Sequence, residues 1–173
     1  LNNQIVYIIG FMGSGKSTAG KKLASLLGWS FIDLDKIIEE HSGKTISEMF
    51  TQDGESYFRN VESEILKSLK SRTNTVISTG GGTPCHGDNM DYMLETGLTV
   101  YLKLTPRQLK SRLAESTWKR PLIKGLSNEG LLSFIEEKLA FREKWYNRAE
   151  ITIDGVSLDI NLLYSLVKTS LII

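Results

Sequence analysis

The chain has 173 residues, of which 40% are hydrophobic and 24% charged, with a formal net charge of +1. This length and composition suit one ordinary globular domain able to bury a core of its own. The near-neutral balance argues against a broad nucleic-acid surface, although a few local arginines can still grip a small anion.

Short β-branched runs alternate with longer helical stretches along the chain. "QIVYIIG" reads as a first strand, followed by a helix over "TAGKKLASLLG" with Leu23, Leu26 and Leu27 on its inner face and Gly28 as its stop. "SFIDLD" reads as a second strand, "TVIST" (75–79) as a third, "LTVYLKL" (98–104) as a fourth and "AEITID" (149–154) as a fifth. A helix starts at Thr105 with Pro106 in its first position. Further helices are predicted over about Asn128 to Asn147 and about Leu158 to Ser170. Such alternation predicts a five-stranded parallel sheet between two helical layers, with ligands beyond the carboxyl ends of the strands. Two stretches read as additions to that core. Residues 36–72 form a mainly helical excursion, and residues 115–126, "ESTWKRPLIKGL", have the polar, interrupted character of a mobile lid.

No N-terminal segment combines a basic start, an apolar centre and a small-residue cleavage site. The apolar tail "INLLYSLVKTSLII" is short for a membrane span and is broken by Lys168. Cys85 is the only cysteine, so an internal disulfide is excluded. The expectation is a soluble cytoplasmic protein with neither a membrane nor a nucleic-acid partner.

"GFMGSGKST" (10–18) satisfies G-x-x-x-x-G-K-[ST] between a strand and a helix. Glycines let the backbone turn so that its N–H groups face a phosphate, and the helix adds its positive end. Gly13, Ser14, Gly15, Lys16, Ser17 and Thr18 are the expected nucleotide-phosphate contacts, with Lys16 on the β- and γ-phosphates and Ser17 on Mg²⁺. The loop is silent on where the phosphoryl group goes. What the sequence lacks narrows the field: there is no N-K-x-D for guanine, and "TVIST" and "TVYLKL" end without the acid of an ATP-driven motor. The acids sit in "FIDLD" instead. Asp33 and Asp35, two apart on a strand, would point the same way, one holding the metal's water shell and the other accepting a hydroxyl proton. Three glycines in "STGGG" (Gly80, Gly81, Gly82) make sense where a ligand approaches the backbone closely, and they offer it N–H donors. Arg59, with Glu62 three residues on to orient it, and Arg142 suit a carboxylate. Arg120 in "KRPL" suits a lid that closes on the γ-phosphate and excludes water. His41, His86 and Cys85 lie outside any metal-ligand spacing, Trp29 and Trp145 read as packing residues, and Trp118 as exposed in the lid.

Together, "GFMGSGKST", "FIDLD", "DGESYFR", "STGGG", "KRPL" and "FREKWY" resemble the motif set of the shikimate kinase family, in order and at similar spacing, from about residue 5 to 154. The resemblance implies a nucleoside-monophosphate-kinase-like P-loop fold: three-layer α/β/α, with a five-stranded parallel sheet, a substrate-binding excursion and a lid. It also implies transfer of the γ-phosphoryl of ATP to the 3-hydroxyl of shikimate, on the route to chorismate and aromatic amino acids. By that likeness Lys16 and Arg120 stabilise the transferring group, Ser17 ligates Mg²⁺ directly and Asp33 through water. Asp35 holds the hydroxyls and acts as base. Arg59 and Arg142 clamp the carboxylate, assisted by backbone N–H groups around Gly81, while Arg112 and "DGVS" flank adenine. A monomer is expected. The chain departs from the family in "TPCHGDN" after the glycines and in Lys144–Trp145 where Pro-Leu is usual. The alternatives are a kinase of another small polyhydroxy acid, such as gluconate, or a nucleotide-binding switch.

Overall fold

The structure is a computed structural model and describes residues 4–114, 123 and 125–171. Five strands, β1 (Ile5–Ile9), β2 (Ser30–Asp33), β3 (Thr75–Ser78), β4 (Leu98–Lys103) and β5 (Ile151–Asp154), form one parallel sheet in the order β2-β3-β1-β4-β5. Helices follow as α1 (Lys16–Leu27), α2 (Leu34–Ser42), α3 (Ile46–Gln52), α4 (Glu55–Ser68), α5 (Asn89–Thr96), α6 (Pro106–Ala114), α7 (Asn128–Tyr146) and α8 (Ile160–Leu171). No described helix is long and apolar enough to cross a membrane.

Strand alternation assigns the two faces. In β1, Ile5, Tyr7 and Ile9 enter the core built with α2 to α7, while Val6 and Ile8 enter the core built with α1 and α8. The central strand is buried throughout, as helices on both faces require, whereas edge strand β5 alternates buried and exposed positions. Placing β1 between β3 and β4 brings the loops after β1 and β3 side by side at the carboxyl edge. Local chemistry sets the helix starts: Thr105 and Gln108 cap α6 reciprocally, Thr45 and Glu48 do so for α3, and Ser127 accepts from Gly130 at α7.

Three sequence expectations need correction. Strand β2 ends at Asp33, so Asp35 lies in the first turn of α2 rather than on a strand. Leu26 is 45% exposed, because the buried face of α1 runs through Ala19, Gly20, Leu23 and Ala24. Helix α5, anchored by Met90 and Met93, was not singled out, although those methionines stand three apart ahead of Gly97. Most of the expected lid, including Trp118 and Arg120, lies outside the described residues.

The α1 assignment is testable by denaturant unfolding. Leu23→Ala should cost about 2–5 kcal/mol and Leu26→Ala less than about 0.5 kcal/mol; equal losses would contradict this burial.

Candidate active site

The phosphate loop takes its shape from backbone that only glycine adopts cheaply. Gly15, the cap of α1, has φ 95°, and a Cβ there would also stand 3.3 Å from the Arg112 guanidinium. A cleft of about 340 Å³ opens beyond it, lined by Met12, Gly13, Gly15, Lys16, Ser17, Thr18, Asp33, Asp35, Ser78, Thr79, Gly80 and Gly81. Of the expected phosphate contacts, Ser14 stands apart. Its N–H donates to the Phe11 carbonyl at 3.1 Å and its side chain is buried, so it faces a second hollow instead. Lys16 Nζ donates to the Phe11 carbonyl at 2.9 Å, so the ammonium lies along the loop.

Oxygens gather on the α1 side of the cleft. The Ser17 hydroxyl donates to Asp33 Oδ2 at 2.7 Å and lies 3.3 Å from the Ser78 hydroxyl. Ser78, at the end of β3, occupies the position where the sequence shows no acid; its place beside Ser17 follows from strand order, which no local motif announces. Across the cleft, Asp35 is pushed up to about 6, first by burial and then by the neighbouring Glu62 charge, against the pull of Lys16. Correcting the strand placement therefore does not separate the two aspartates. A strand end and a helix start deliver both to one cleft.

The triple glycine explains the convergence of the remaining groups. A Cβ at Gly80 would lie 2.9 Å from Glu62 Oε1 and 3.0 Å from Asp35 Oδ1. At Gly81 it would lie 3.4 Å from Arg142 Nη1 and 3.2 Å from the Met12 N, and at Gly82 only 2.5 Å from Arg59 Nη2. None of the three has a positive φ, so what they provide is room rather than an unusual backbone. Consecutive Cα atoms are about 3.8 Å apart, so Asp35, Arg142 and Arg59 face a space suited to one small molecule. Gly82, Arg59 and Arg142 do not line the phosphate cleft themselves; they border it through these contacts.

Each grip is braced differently. Arg59 donates to Glu62 Oε2 at 2.8 Å and to Glu55 at 3.3 Å, with its guanidinium 5.0 Å from the Phe58 ring centre. Glu62 is fully buried and also accepts the Thr83 hydroxyl at 2.6 Å. Arg142 is 9% exposed, lies 5.2 Å over the Phe11 ring, and its Nη1 is buried with no hydrogen-bond partner among the described residues. Such a donor points to an anion arriving from outside. Arg112 bonds the Ser14 carbonyl at 2.9 Å and the Gly155 carbonyl at 2.8 Å. It lines a hollow of about 320 Å³ with Gly15, Thr18, Lys22, Val156 and Leu158, beside the phosphate loop. Sequence reasoning gave no role to Met12, Ser78 and Thr83 and gave Tyr146 only its place in "FREKWY"; each acts through a neighbour distant in sequence.

The chain is similar to known proteins along most of its length. The family model described as shikimate kinase matches residues 12–167. The shikimate kinase of Parabacteroides distasonis is 46% identical over 150 residues, 87% of each chain. Among solved structures, the shikimate kinase from Bacteroides thetaiotaomicron is 37% identical with TM-score 0.89, over 98% of this chain and 99% of that one. The one from Acinetobacter baumannii, in complex with shikimate, is 32% identical with TM-score 0.85, over 97% of this chain and 93% of that one. A phosphate loop, a carboxylate at a helix start and two guanidinium groups gathered on a triple glycine thus stand on a chain that belongs to the shikimate kinase family.

Proposed function

We infer that this chain is an ATP-dependent shikimate kinase, transferring the γ-phosphoryl of ATP to the 3-hydroxyl of shikimate. The observation that carries this reading is the meeting of Asp35, Arg59 and Arg142 on Gly80–Gly82, beside the phosphate loop. The hydroxyl oxygen attacks the γ-phosphorus, the bond to the β–γ bridging oxygen breaks, ADP leaves, and the hydroxyl proton passes to Asp35. Its raised proton affinity suits that role, since a base must hold the proton it takes. We assign the phosphates to Gly13, Gly15, Lys16, Ser17 and Thr18, and the acceptor carboxylate to Arg59, Arg142 and the glycine N–H groups. The hollow walled by Arg112 and Val156 suits adenine. Arg120, outside the described residues, retains its proposed part on the γ-phosphate, and residues 36–72 and 115–126 theirs as acceptor-binding excursion and lid.

The oxygens of Ser17, Asp33 and Ser78 fit Mg²⁺, which keeps several waters and needs only one or two protein ligands beside the nucleotide phosphates. No cluster of three or more His, Cys, Asp or Glu among the described residues would hold a metal alone. When bound, the ion offsets negative charge on the β- and γ-oxygens; Ser17 would ligate it directly and Asp33 through water. We propose the cytoplasm as the setting, on the single free Cys85, and a monomer as the working unit.

ATP consumption measured with shikimate, with gluconate and with no acceptor tests the reading. Turnover should appear with shikimate alone; equal turnover without acceptor would favour a nucleotide switch.

Asp35→Asn should lower transfer by about 10²–10⁴-fold with nucleotide affinity within about twofold. The same change should raise the melting temperature of the ligand-free chain in EDTA. Asp35 has a higher pKa folded than unfolded, so its stabilising contribution is present below pH 4 and lost as pH rises through about 6. The gain from Asn should therefore be larger at pH 7 than at pH 4. A loss of stability at pH 7 would contradict the crowding of Asp35 against Glu62.

Gly82→Ala should leave the backbone at ease, since φ is −93°, while driving Arg59 from its place. Acceptor KM should rise about tenfold or more with nucleotide KM nearly unchanged; an unaltered acceptor KM would remove Arg59 from the clamp.

A further inference from the structure

The orientation of the glycine peptides has its own cause. The Gly80 carbonyl accepts from the Thr83 N–H at 3.2 Å and the Gly82 carbonyl from the Cys85 N–H at 3.0 Å, both within the local turn. The Gly81 carbonyl is held from elsewhere, by a short hydrogen bond from the Tyr146 hydroxyl at the end of α7. All three carbonyls are thus engaged, whereas among the described residues no hydrogen bond takes up the N–H of Gly80, Gly81 or Gly82. Because a trans peptide is planar, its C=O and N–H point opposite ways. Fixing the Gly81 carbonyl therefore fixes the Gly82 N–H on the other side.

Tyr146 stands four residues after Arg142, so the last turn of α7 presents a guanidinium and a phenol to the same glycine. The phenol is fully buried, and that burial pushes its pKa well above the usual tyrosine value, so it stays a donor. Packing alone does not account for the hydroxyl. The ring pairs with Tyr101 at 5.0 Å, and the Tyr101 hydroxyl, equally buried, has no hydrogen-bond partner among the described residues.

We propose that Tyr146 is a positioning residue for the acceptor: by holding the Gly81 carbonyl it turns the Gly82 N–H toward the acceptor's carboxylate. The proposal rests on the shikimate kinase reading above. It adds a role for a side chain that touches neither substrate, and it makes the anion subsite a joint product of α7 and the loop after β3. Without the phenol the Gly81–Gly82 peptide is free to rotate. The anion then meets Arg59 and Arg142 but not a fixed Gly82 N–H.

Steady-state kinetics on the full chain, with Tyr146→Phe and Tyr101→Phe beside the parent, test this. Tyr146→Phe keeps the ring and should raise shikimate KM about tenfold, with kcat and ATP KM within about twofold. Calorimetric titration of shikimate onto nucleotide-free protein should show a similar loss in Kd. Tyr101→Phe removes an unbonded hydroxyl from the same ring pair and should leave every constant unchanged. If Tyr146→Phe matches the parent in shikimate KM and Kd, the positioning role is overturned while the kinase reading stands. If it lowers the melting temperature and raises both KM values together, the hydroxyl is structural and the proposal is again overturned. A parent chain that does not phosphorylate shikimate overturns the kinase reading and the assignment with it.

Discussion

The absence of three side chains at Gly80, Gly81 and Gly82 is the constraint on which the site depends. A β-carbon at any of these positions would meet a carboxylate, a guanidinium or the phosphate loop's own backbone. Glycine disfavours ordered structure because its unfolded chain is freer, and here that cost is borne three times over. In return, groups from α2, α4 and α7 approach one stretch of main chain, and that stretch borders the β1 loop because β3 pairs with β1. Sheet order and missing side chains together place the proposed acceptor grips beside the phosphate loop.

The charges gathered there are not equally compensated. Glu62 accepts from Arg59 on one carboxylate oxygen and from Thr83 on the other, so this buried acid is satisfied without ligand. Asp35 and Arg142 are not. One carboxylate is crowded by another, and one buried guanidinium nitrogen has no hydrogen-bond partner among the described residues. Both imbalances ease when a molecule carrying hydroxyls and a carboxylate enters. The free protein thus holds a strain that its proposed substrate relieves.

Much of this was legible in the sequence. The strand–helix alternation gave the parallel sheet, and the phosphate loop, the acidic pair, the triple glycine and both arginines were visible as local patterns. What escaped depends on tertiary geometry. Asp35 was read onto a strand because "FIDLD" alternates, yet the chain turns into α2 directly after Asp33. Leu26 shared the apolar character of Leu23 and Leu27, but the small residues Ala19, Gly20 and Ala24 decide which stripe packs. The glycines were read as room for a ligand, whereas the protein's own side chains crowd them first. Tyr146 lies in "FREKWY" and Thr83 just after "STGGG", but neither motif says what they hold, since each acts on a partner that only the fold brings near.

The division of labour along the chain has an evolutionary corollary. Asp35, Arg59 and Glu62 all sit in one uninterrupted run from Leu34 to Ser68, while Lys16, Ser17 and Asp33 belong to the sheet edge and α1. On the proposed assignments, a lineage could exchange what is modified by rewriting that contiguous run, the glycine loop and the end of α7, leaving Lys16, Ser17 and Asp33 untouched.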